Sequence, residues 1–327
     1  MIVPIVTADP GVRACLASLR ATDPRPGELI VVVDGGDGDA VEFARSEGAT
    51  VVTLPVQSGP AAARNAGAQA ASGDVLLFFD GDVITPTTVI SDLTAALTAD
   101  PSVAAVFGSY DDAPACPSAV SQYRNLLHHF THQRAREEAW TFWGACGAVH
   151  RRVFLSVGGF DPSYAAPAIE DIEFGYRLRA AGYRIRLVKT VQVTHLKRWT
   201  PSRMIRADLF SRAVPWTTLI LRDHRAPNDL NIDWRTRSAV LLTGLCLAGV
   251  VGSLVHPAFL AGSAIAALAV TGLEAPFLSF LLRRRGLPFA IQSFPWHFVY
   301  LFNCGLGFVL GCAWHVLRGR TRRDTRG

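Results

Sequence analysis

Ser72-Gly73-Asp74-Val75-Leu76-Leu77-Phe78-Phe79-Asp80-Gly81-Asp82 is the stretch whose reading decides the fold. Residues 74–79 form a short, almost continuous apolar run entered from a Ser-Gly turn, which is the pattern of a strand buried on both faces. The run stops by projecting two carboxylates separated by one glycine. Ligands of open α/β sheets lie at the carboxyl ends of strands. Two anionic oxygens at such an edge suit a hard divalent cation that also holds phosphates. A β-turn carrying two solvated aspartates is the plainer reading of the same residues.

Outward from this strand the pattern repeats. Residues 2–7, 28–33, 50–54 and 103–107 also read as strands rich in Val, Leu and Phe, and residues 12–20, 39–47, 60–71 and 86–98 have helical spacing or Ala-rich propensity. This β-α-β-α order predicts an α/β domain with a mostly parallel sheet and helices on both faces. A second acidic cluster, Asp34-Gly35-Gly36-Asp37-Gly38-Asp39, follows the second strand. Its glycines half match a dinucleotide fingerprint, but the third glycine is missing and Asp34 stands where a pyrophosphate would be repelled. An aspartate directly after a strand, with glycines beside it, suits hydrogen bonding to a ribose or base; helix-capping aspartates in a turn are the alternative. No GxxxxGK[ST] phosphate loop occurs, and two aspartates after a fourth strand, followed by Val83-Ile84-Thr85, fit a haloacid-dehalogenase phosphatase poorly.

Charge is distributed unevenly along the 327 residues. Residues 1–120 carry 5 Lys and Arg against 15 Asp and Glu, residues 121–237 carry 19 against 10, and residues 238–327 carry 8 against 2. The overall +5 is therefore no nucleic-acid signature, because its basic part runs into an almost wholly apolar stretch. Residues 238–273 and 288–317 contain no Asp, Glu, Lys or Arg, and each run exceeds the ~20 residues that span a bilayer. His256-Pro257 breaks the first run into two helices, the second continuing through Glu274 and Pro276 to Leu282. A third helix is expected over about 295–317, with Trp296, Tyr300 and Trp314 near its ends.

With the catalytic part inside, Arg283-Arg284-Arg285 falls inside as the positive-inside rule requires, whereas the basic tail 318–327 falls outside. Residues 202–221 read as an interfacial helix with Ile205, Leu209, Trp216 and Ile220 on one face, although Arg212 intrudes and Pro215 kinks it. No cleavable signal peptide is expected, since the apolar run at 2–6 is short and lacks a basic flank. The six cysteines show no CxxC spacing, which argues against zinc and a disulfide framework and fits a reducing compartment.

Two later motifs carry chemistry. Glu170-Asp171 opens a helical pattern, and a carboxylate at a helix N-terminus is expected to stay ionised at neutral pH and so to accept a proton. His195-Leu196-Lys197-Arg198-Trp199 follows a strand-like segment at 186–193 and places positive charge beside an imidazole.

Taken with Gly59-Pro60-Ala61-Ala62-Ala63-Arg64-Asn65-Ala66-Gly67, the opening stretch resembles family 2 glycosyltransferases of the GT-A fold. The likeness continues through Gly144-Ala145-Cys146-Gly147-Ala148, Gly158-Gly159-Phe160-Asp161, the segment around Ile169-Glu170-Asp171 and residues 192–199, so it covers about residues 1–200. Membrane-anchored members of that family are the closest likeness for the rest. Two departures stand out: the first strand ends in Val6-Thr7-Ala8-Asp9 without the usual turn, and the common Asp-Asp-Gly-Ser is Val33-Asp34-Gly35-Gly36.

The resemblance implies a Rossmann-like nucleotide-diphospho-sugar transferase domain over 1–200, an interfacial helix and linker over 201–237, about three transmembrane helices over 238–317 and a basic tail over 318–327. It implies an inverting, metal-dependent transfer from a nucleotide sugar to a lipid-linked or membrane-associated acceptor at the cytoplasmic face of the cytoplasmic membrane. Asp34, with Asp9 beside it, is implied at the nucleoside, Arg64 at the nucleotide or its phosphates, and Asp80 and Asp82 at Mg2+ or Mn2+, joined by His195. Asp171 is the implied base, with Glu170 next to it. Trp143 and Gly144 floor the acceptor pocket, and Lys197, Arg198 and Trp199 lie toward the diphosphate and the sugar. A processive polysaccharide synthase is disfavoured by the altered Gln-x-x-Arg-Trp signature and by too few helices for a pore, and a non-catalytic scaffold by the intact Asp80, Asp82 and Asp171.

Overall fold

The computed structural model of the chain describes residues 1–36 and 38–324, with side chains described as far as Leu317. The side chains of the basic tail and its last three residues lie outside this description. Two compact units are present, one formed by residues 1–117 and 131–198, the other by 118–130 and 199–327.

The first unit is a sheet flanked by helices. Its strands are β1 (Ile2–Ile5), β2 (Ile30–Asp34), β3 (Thr50–Leu54), β4 (Val75–Phe79), β5 (Val83–Ile84), β6 (Val103–Tyr110), β7 (Glu138–Ala139), β8 (Cys146–His150) and β9 (Arg184–His195). Between them run α1 (Pro10–Arg20), α2 (Gly38–Ser46), α3 (Pro60–Ala70), α4 (Val89–Thr98), α5 (Ala119–Arg134), α6 (Arg151–Ser156) and α7 (Glu170–Ala180). The order across the sheet is β3-β2-β1-β4-β8-β6-β9-β5, with β7 also on β9.

The expectation of a mostly parallel sheet needs correction. Strands β1 to β4 pair in parallel, as do β6 and β9, but β8 runs antiparallel to both β4 and β6, and β5 and β7 run antiparallel to β9. The parallel block is the nucleotide-binding type of half-sheet read from the first 80 residues. The direction of β8 and of the short strands β5 and β7 is set by long-range pairing, which alternating periodicity alone does not reveal.

Small residues let α3 lie directly on the parallel block. A Cβ on Gly67 would meet the Ile2 Cγ2 at 2.4 Å and the Val32 Cγ2 at 3.1 Å. In the same core layer, Phe78, Phe142, Phe154, Phe160 and Phe174 are almost wholly buried and meet in tilted or edge-to-face pairs, the closest being Phe160 and Phe174 at 4.9 Å. Asn65 ties this cluster to α3: its Nδ2 donates to the Phe160 carbonyl at 2.7 Å, and its Oδ1 accepts from the Phe160 amide at 2.8 Å.

The second unit is helical. Residues 202–221, read from the sequence as one interfacial helix, are instead α8 (Pro201–Arg206), a π-helical turn over Ala207–Ala213 and α9 (Val214–Asp223). The wider turn shifts the buried stripe, which is Met204, Leu209, Trp216 and Leu219, while Phe210 is 61% exposed. Asp208 lies inside the unit, paired with Arg124 of α5 at 2.5 Å, each side chain being 2% exposed.

A short 3-10 turn leads to α10 (Trp234–Gly252), and after the His256-Pro257 corner comes α11 (Ala258–Asp324), whose helical conformation is interrupted at Gly286 with φ 83° and ψ 173°. The imidazole of His297 nonetheless lies 2.9 Å from the Glu274 carboxylate. Twenty-three residues of straight helix would separate them by ~35 Å, so the chain folds back at Gly286 and the two arms, 258–285 and 287–324, run against each other. The corner at 256–257 makes a second hairpin, closed where the Ser263 hydroxyl donates to the Cys246 carbonyl at 2.8 Å. On the later arm, a Cβ at Gly307 or Gly311 would meet Ala213 at 2.3 Å or Thr217 at 2.6 Å, a small-residue contact at four-residue spacing.

Truncating Phe160 to Ala removes the ring shared by every member of the aromatic cluster. The expected cost is ~3–5 kcal/mol, with a smaller loss for Phe160→Leu. Thermal unfolding of the purified protein reads both, and an unchanged midpoint for Phe160→Ala would contradict a continuous cluster.

Candidate active site

The strand ends of the parallel block bring the acidic motifs to one edge. Asp34 closes β2, and its two oxygens accept from the Ser58 amide at 2.7 Å and the Gly59 amide at 2.8 Å. It thereby pins the turn that starts α3, while each oxygen keeps a second acceptor site for a ligand. Gly59 sits at φ 90° because the Ala165 backbone crosses it: a Cβ there would lie 2.5 Å from the Ala165 carbonyl. Asp9 caps α1, its Oδ1 accepting from the amides of Gly11 at 2.8 Å and Val12 at 3.0 Å.

Arg64 is the centre of the floor. It leaves α3 wholly buried, donates from Nη2 to Asp80 at 2.5 Å and from Nη1 to Glu170 at 2.9 Å. The sequence places this guanidinium at the phosphates; in the structure its terminal nitrogens are turned to two carboxylates. Gly144 allows it to lie there, since a Cβ at that position would stand 3.0 Å from the guanidinium carbon. Glu170 is committed to the same framework, its second oxygen accepting from the Ala168 amide at 3.0 Å.

Asp171, one residue into α7, is the carboxylate left over. Its Oδ2 accepts from the Gly144 amide at 3.1 Å and its Oδ1 from the Ile172 amide at 2.8 Å. The expectation that a helix N-terminus keeps this group fully ionised is overturned. Burial, reinforced by the charge of Glu170, pushes Asp171 up to about 7, and the opposing pull of Arg64 and the Gly144 amide does not cancel it. A carboxyl balanced between its two states near neutrality has the proton affinity a general base needs.

Asp80 and Asp82 flank Gly81 between β4 and β5. About a third of each side chain, 34% for Asp80 and 36% for Asp82, still meets solvent, so both can be reached. Burial raises Asp80 more than Arg64 lowers it, and the charge of Asp82 adds to the rise. Asp82 moves the other way: burial opposes ionisation, but His195 and Lys197 together outweigh it.

Backbone pairing of Val83 with His195 carries the imidazole to Asp82, Nε2 to Oδ2 at 3.6 Å. That gap is too long for a hydrogen bond. It suits two donors each standing ~2.0–2.2 Å from one shared cation. Among the described residues no three His, Cys, Asp or Glu side chains form a ready-made metal group. Asp82 and His195 stand at that spacing, while one oxygen of Asp80 is held by Arg64. A carboxylate and an imidazole so placed fit a cation such as Mg2+ or Mn2+ that takes its remaining ligands from phosphate oxygens and water.

Tyr110, at the end of β6, is missing from the sequence reading. Its ring stacks on His195 at 4.2 Å and 17°, and Trp143 meets Tyr110 edge-on at 4.6 Å. Only its place at the end of a buried strand could have flagged it. Trp143 also packs against His132 at 5.2 Å, so it belongs to the wall as much as to any pocket. Arg198 is exposed at the end of the first unit. Trp199 belongs to the helical unit, where its amide donates to the Ser121 hydroxyl at 2.8 Å and Arg124 lies 5.7 Å over its ring.

The profile of glycosyl transferase family 2 matches residues 1–158, and one described as the N-terminal domain of galactosyltransferase matches residues 124–199. Two curated relatives, each named pre-mycofactocin glycosyltransferase, from Mycobacterium tuberculosis strains CDC 1551 / Oshkosh and ATCC 25618 / H37Rv, are 30% identical over 207 residues. That match covers 60% of this chain but only 42% of the relatives' length. Among solved structures, a mannosyltransferase from Pyrobaculum calidifontis in complex with GDP-Man and Mn2+ superposes with a TM-score of 0.58 at 19% identity, covering 94% of this chain and 86% of that one. The strand order, the Asp-Gly-Asp turn after β4 and these matches agree: residues 1–158 match glycosyl transferase family 2, and the first domain has the GT-A fold.

Proposed function

We propose that the chain transfers a sugar, with inversion, from a nucleotide-sugar donor to a lipid-linked or membrane-associated acceptor. One observation carries the proposal. A carboxyl poised near neutrality, Asp171, shares its floor through Arg64 with the accessible Asp80, and Asp82 stands beside it facing an imidazole at a cation's spacing. The family match supports the same reaction class, as do the relatives' names, and the donor and Mn2+ of the Pyrobaculum mannosyltransferase complex support the choice of ligands.

In this reading Asp34, with Asp9 nearby, receives the nucleoside, and Gly35 and Gly59 let the surrounding backbone close tightly around Asp34. Asp82 and His195 hold the divalent cation, with Asp80 alongside. Bound there, a cation supplies positive charge to the leaving nucleoside diphosphate. Lys197 adds a second positive charge at the same place. Asp171 takes the proton from the acceptor hydroxyl as its oxygen bonds to the anomeric carbon and the bond to the diphosphate breaks. Arg64 and Gly144 fix where that carboxylate points. Trp143 and Gly144 border the acceptor side.

The helical unit supports a membrane setting. The segment 258–317 is long and apolar enough to cross a membrane, and 22% of its most apolar window is buried. Leu254, Val255 and Leu268 are 86%, 87% and 73% exposed, whereas the charged pair Arg124–Asp208 is hidden inside. Such an arrangement, apolar outside and polar within, suits lipid as solvent better than water. The basic run Arg283-Arg284-Arg285 at the turn between the α11 arms supports, by the positive-inside rule, a cytoplasmic location for that turn.

Asp82→Ala should abolish transfer and cation-dependent binding of a nucleoside diphosphate while leaving membrane insertion unchanged; full activity in EDTA would sink the metal role. Asp171→Asn should lower kcat more than ~100-fold, and a near-normal rate with a phosphate-bearing acceptor would make Asp171 a positioning group instead. In the wild type Asp171 is protonated below about 7 and cannot take a proton, so kcat/KM should rise with pH through about 7. Glu170→Gln removes the like charge and should move that limb to lower pH; a limb that moves up would refute the assignment. Carbonate washing should leave the protein in membranes, and its release would count against a spanning anchor.

A further inference from the structure

We propose that Tyr110 is a positioning residue that fixes the imidazole plane of His195 toward Asp82, an inference that rests on reading His195 and Asp82 as the cation site. The backbone around His195 is tied on every side. Val193 pairs with Tyr110 in β6, His195 pairs with Val83 in β5, the Leu196 amide donates to the Asp82 carbonyl at 2.8 Å, and the His195 carbonyl accepts from the Ala115 amide at 3.3 Å. These bonds place the His195 Cα opposite the Asp-Gly-Asp turn but do not set the side-chain torsions. The outer torsion of an imidazole is broad and two-fold. A ligating nitrogen therefore needs a further constraint on its ring.

The stacked phenol provides that constraint. Tyr110 lies 4.2 Å from the imidazole and 17° from parallel, so rotating the His195 ring would drive its edge into the Tyr110 face. Tyr110 is itself held: Trp143 abuts it edge-on at 4.6 Å, with an interplanar angle of 88°, and the residue is 5% exposed. The neighbouring Thr194 and Asp111 side chains hydrogen-bond to each other, which closes the β6–β9 corner next to the stack. His195 is likewise buried, at 6% exposure, so solvent does not orient it. Outer-shell partners usually orient a ligating histidine by a hydrogen bond. Here an aromatic face restricts the same rotation, and it is the ring rather than the hydroxyl that matters.

The test uses the full-length protein in detergent and reads Mn2+ affinity in the presence of uridine or guanosine diphosphate, by titration calorimetry and by the electron spin resonance of free Mn2+. Tyr110→Phe keeps the ring and should bind Mn2+ within about twofold of wild type. Tyr110→Leu should weaken binding ~10-fold or more, the size of loss expected when an orienting partner is removed. The decisive comparison is the cycle with His195→Ala: once the imidazole is gone, Tyr110→Leu should weaken Mn2+ binding no further.

Equal weakening by Tyr110→Leu in both backgrounds would show a general structural role and overturn the proposal, as would wild-type affinity in Tyr110→Leu. Loss of affinity in Tyr110→Phe would move the role from the ring to the hydroxyl and overturn it equally. If His195→Ala binds Mn2+ as tightly as wild type, or the wild type binds none, the reading of the cation site fails and this inference with it. Far-ultraviolet circular dichroism and the thermal midpoint of each variant separate these outcomes from misfolding, and Tyr110→Trp, which retains an aromatic face, should regain most of the affinity if Leu proves destabilising.

Discussion

The contact that organises the catalytic domain is a single buried guanidinium shared by two carboxylates. Arg64 comes from α3, Asp80 from the end of β4 and Glu170 from the start of α7, so 106 residues of sequence separation close onto one side chain. A buried cation is tolerated only when its charge is met, and Glu170 would be left with an unpaired buried charge if Arg64 were absent. The three elements are therefore held in mutual register by charge and hydrogen bonding rather than by apolar packing alone. Asn65, the next residue on α3, extends the same register by clasping the Phe160 backbone. Adjacent positions of one helix thus tie the carboxyl end of β4 to the start of α7 and to the segment around Phe160.

The helical unit solves a different problem. Its interior carries Arg124 with Asp208, Glu274 with His297, and the Tyr123 hydroxyl 3.1 Å from the His297 Nδ1, while its surface offers leucines, valines and phenylalanines. Hydrophobic burial cannot by itself assemble helices whose outer faces are as apolar as their contacts. Polar pairs at defined heights, together with close approach at Gly307 and Gly311, specify which arm lies where. The π-helical turn over Ala207–Ala213 serves that geometry. It places Asp208 inward opposite Arg124 and returns Trp216 and Leu219 to the buried side.

Much of this was legible in the chain. The parallel block, the Asp-Gly-Asp turn and the corner at His256-Pro257 follow from local signals of strand composition, glycine spacing and a proline in an apolar run. Four features escaped for reasons that are physical. The antiparallel strands β5, β7 and β8 depend on long-range pairing, which a local period does not encode. The π-turn inserts its extra residue without any composition marker, so a stripe drawn with a 3.6-residue period selected Ile205 and Ile220 where Met204 and Leu219 are buried. The ionisation of Asp171 is set by groups distant in sequence, and a rule based on the helix N-terminus could weigh only the nearest field. Tyr110 escaped because stacking is a relation between two strand ends, visible only once β6 lies against β9.

Charge accounting on the floor connects these features. Asp80, Asp82, Glu170 and Asp171 stand against Arg64 and Lys197, a formal excess of two negative charges when all are ionised and His195 is neutral. Burial raises Asp171 and Asp80 toward their protonated forms, and the neighbouring like charges add to the rise; the same charges would repel an approaching diphosphate. In the proposed reading, a divalent cation between Asp82 and His195 would cancel that excess, and donor binding would depend on it. The positive overall charge of the chain hides this acidity, because most of its basic residues belong to the later part of the sequence.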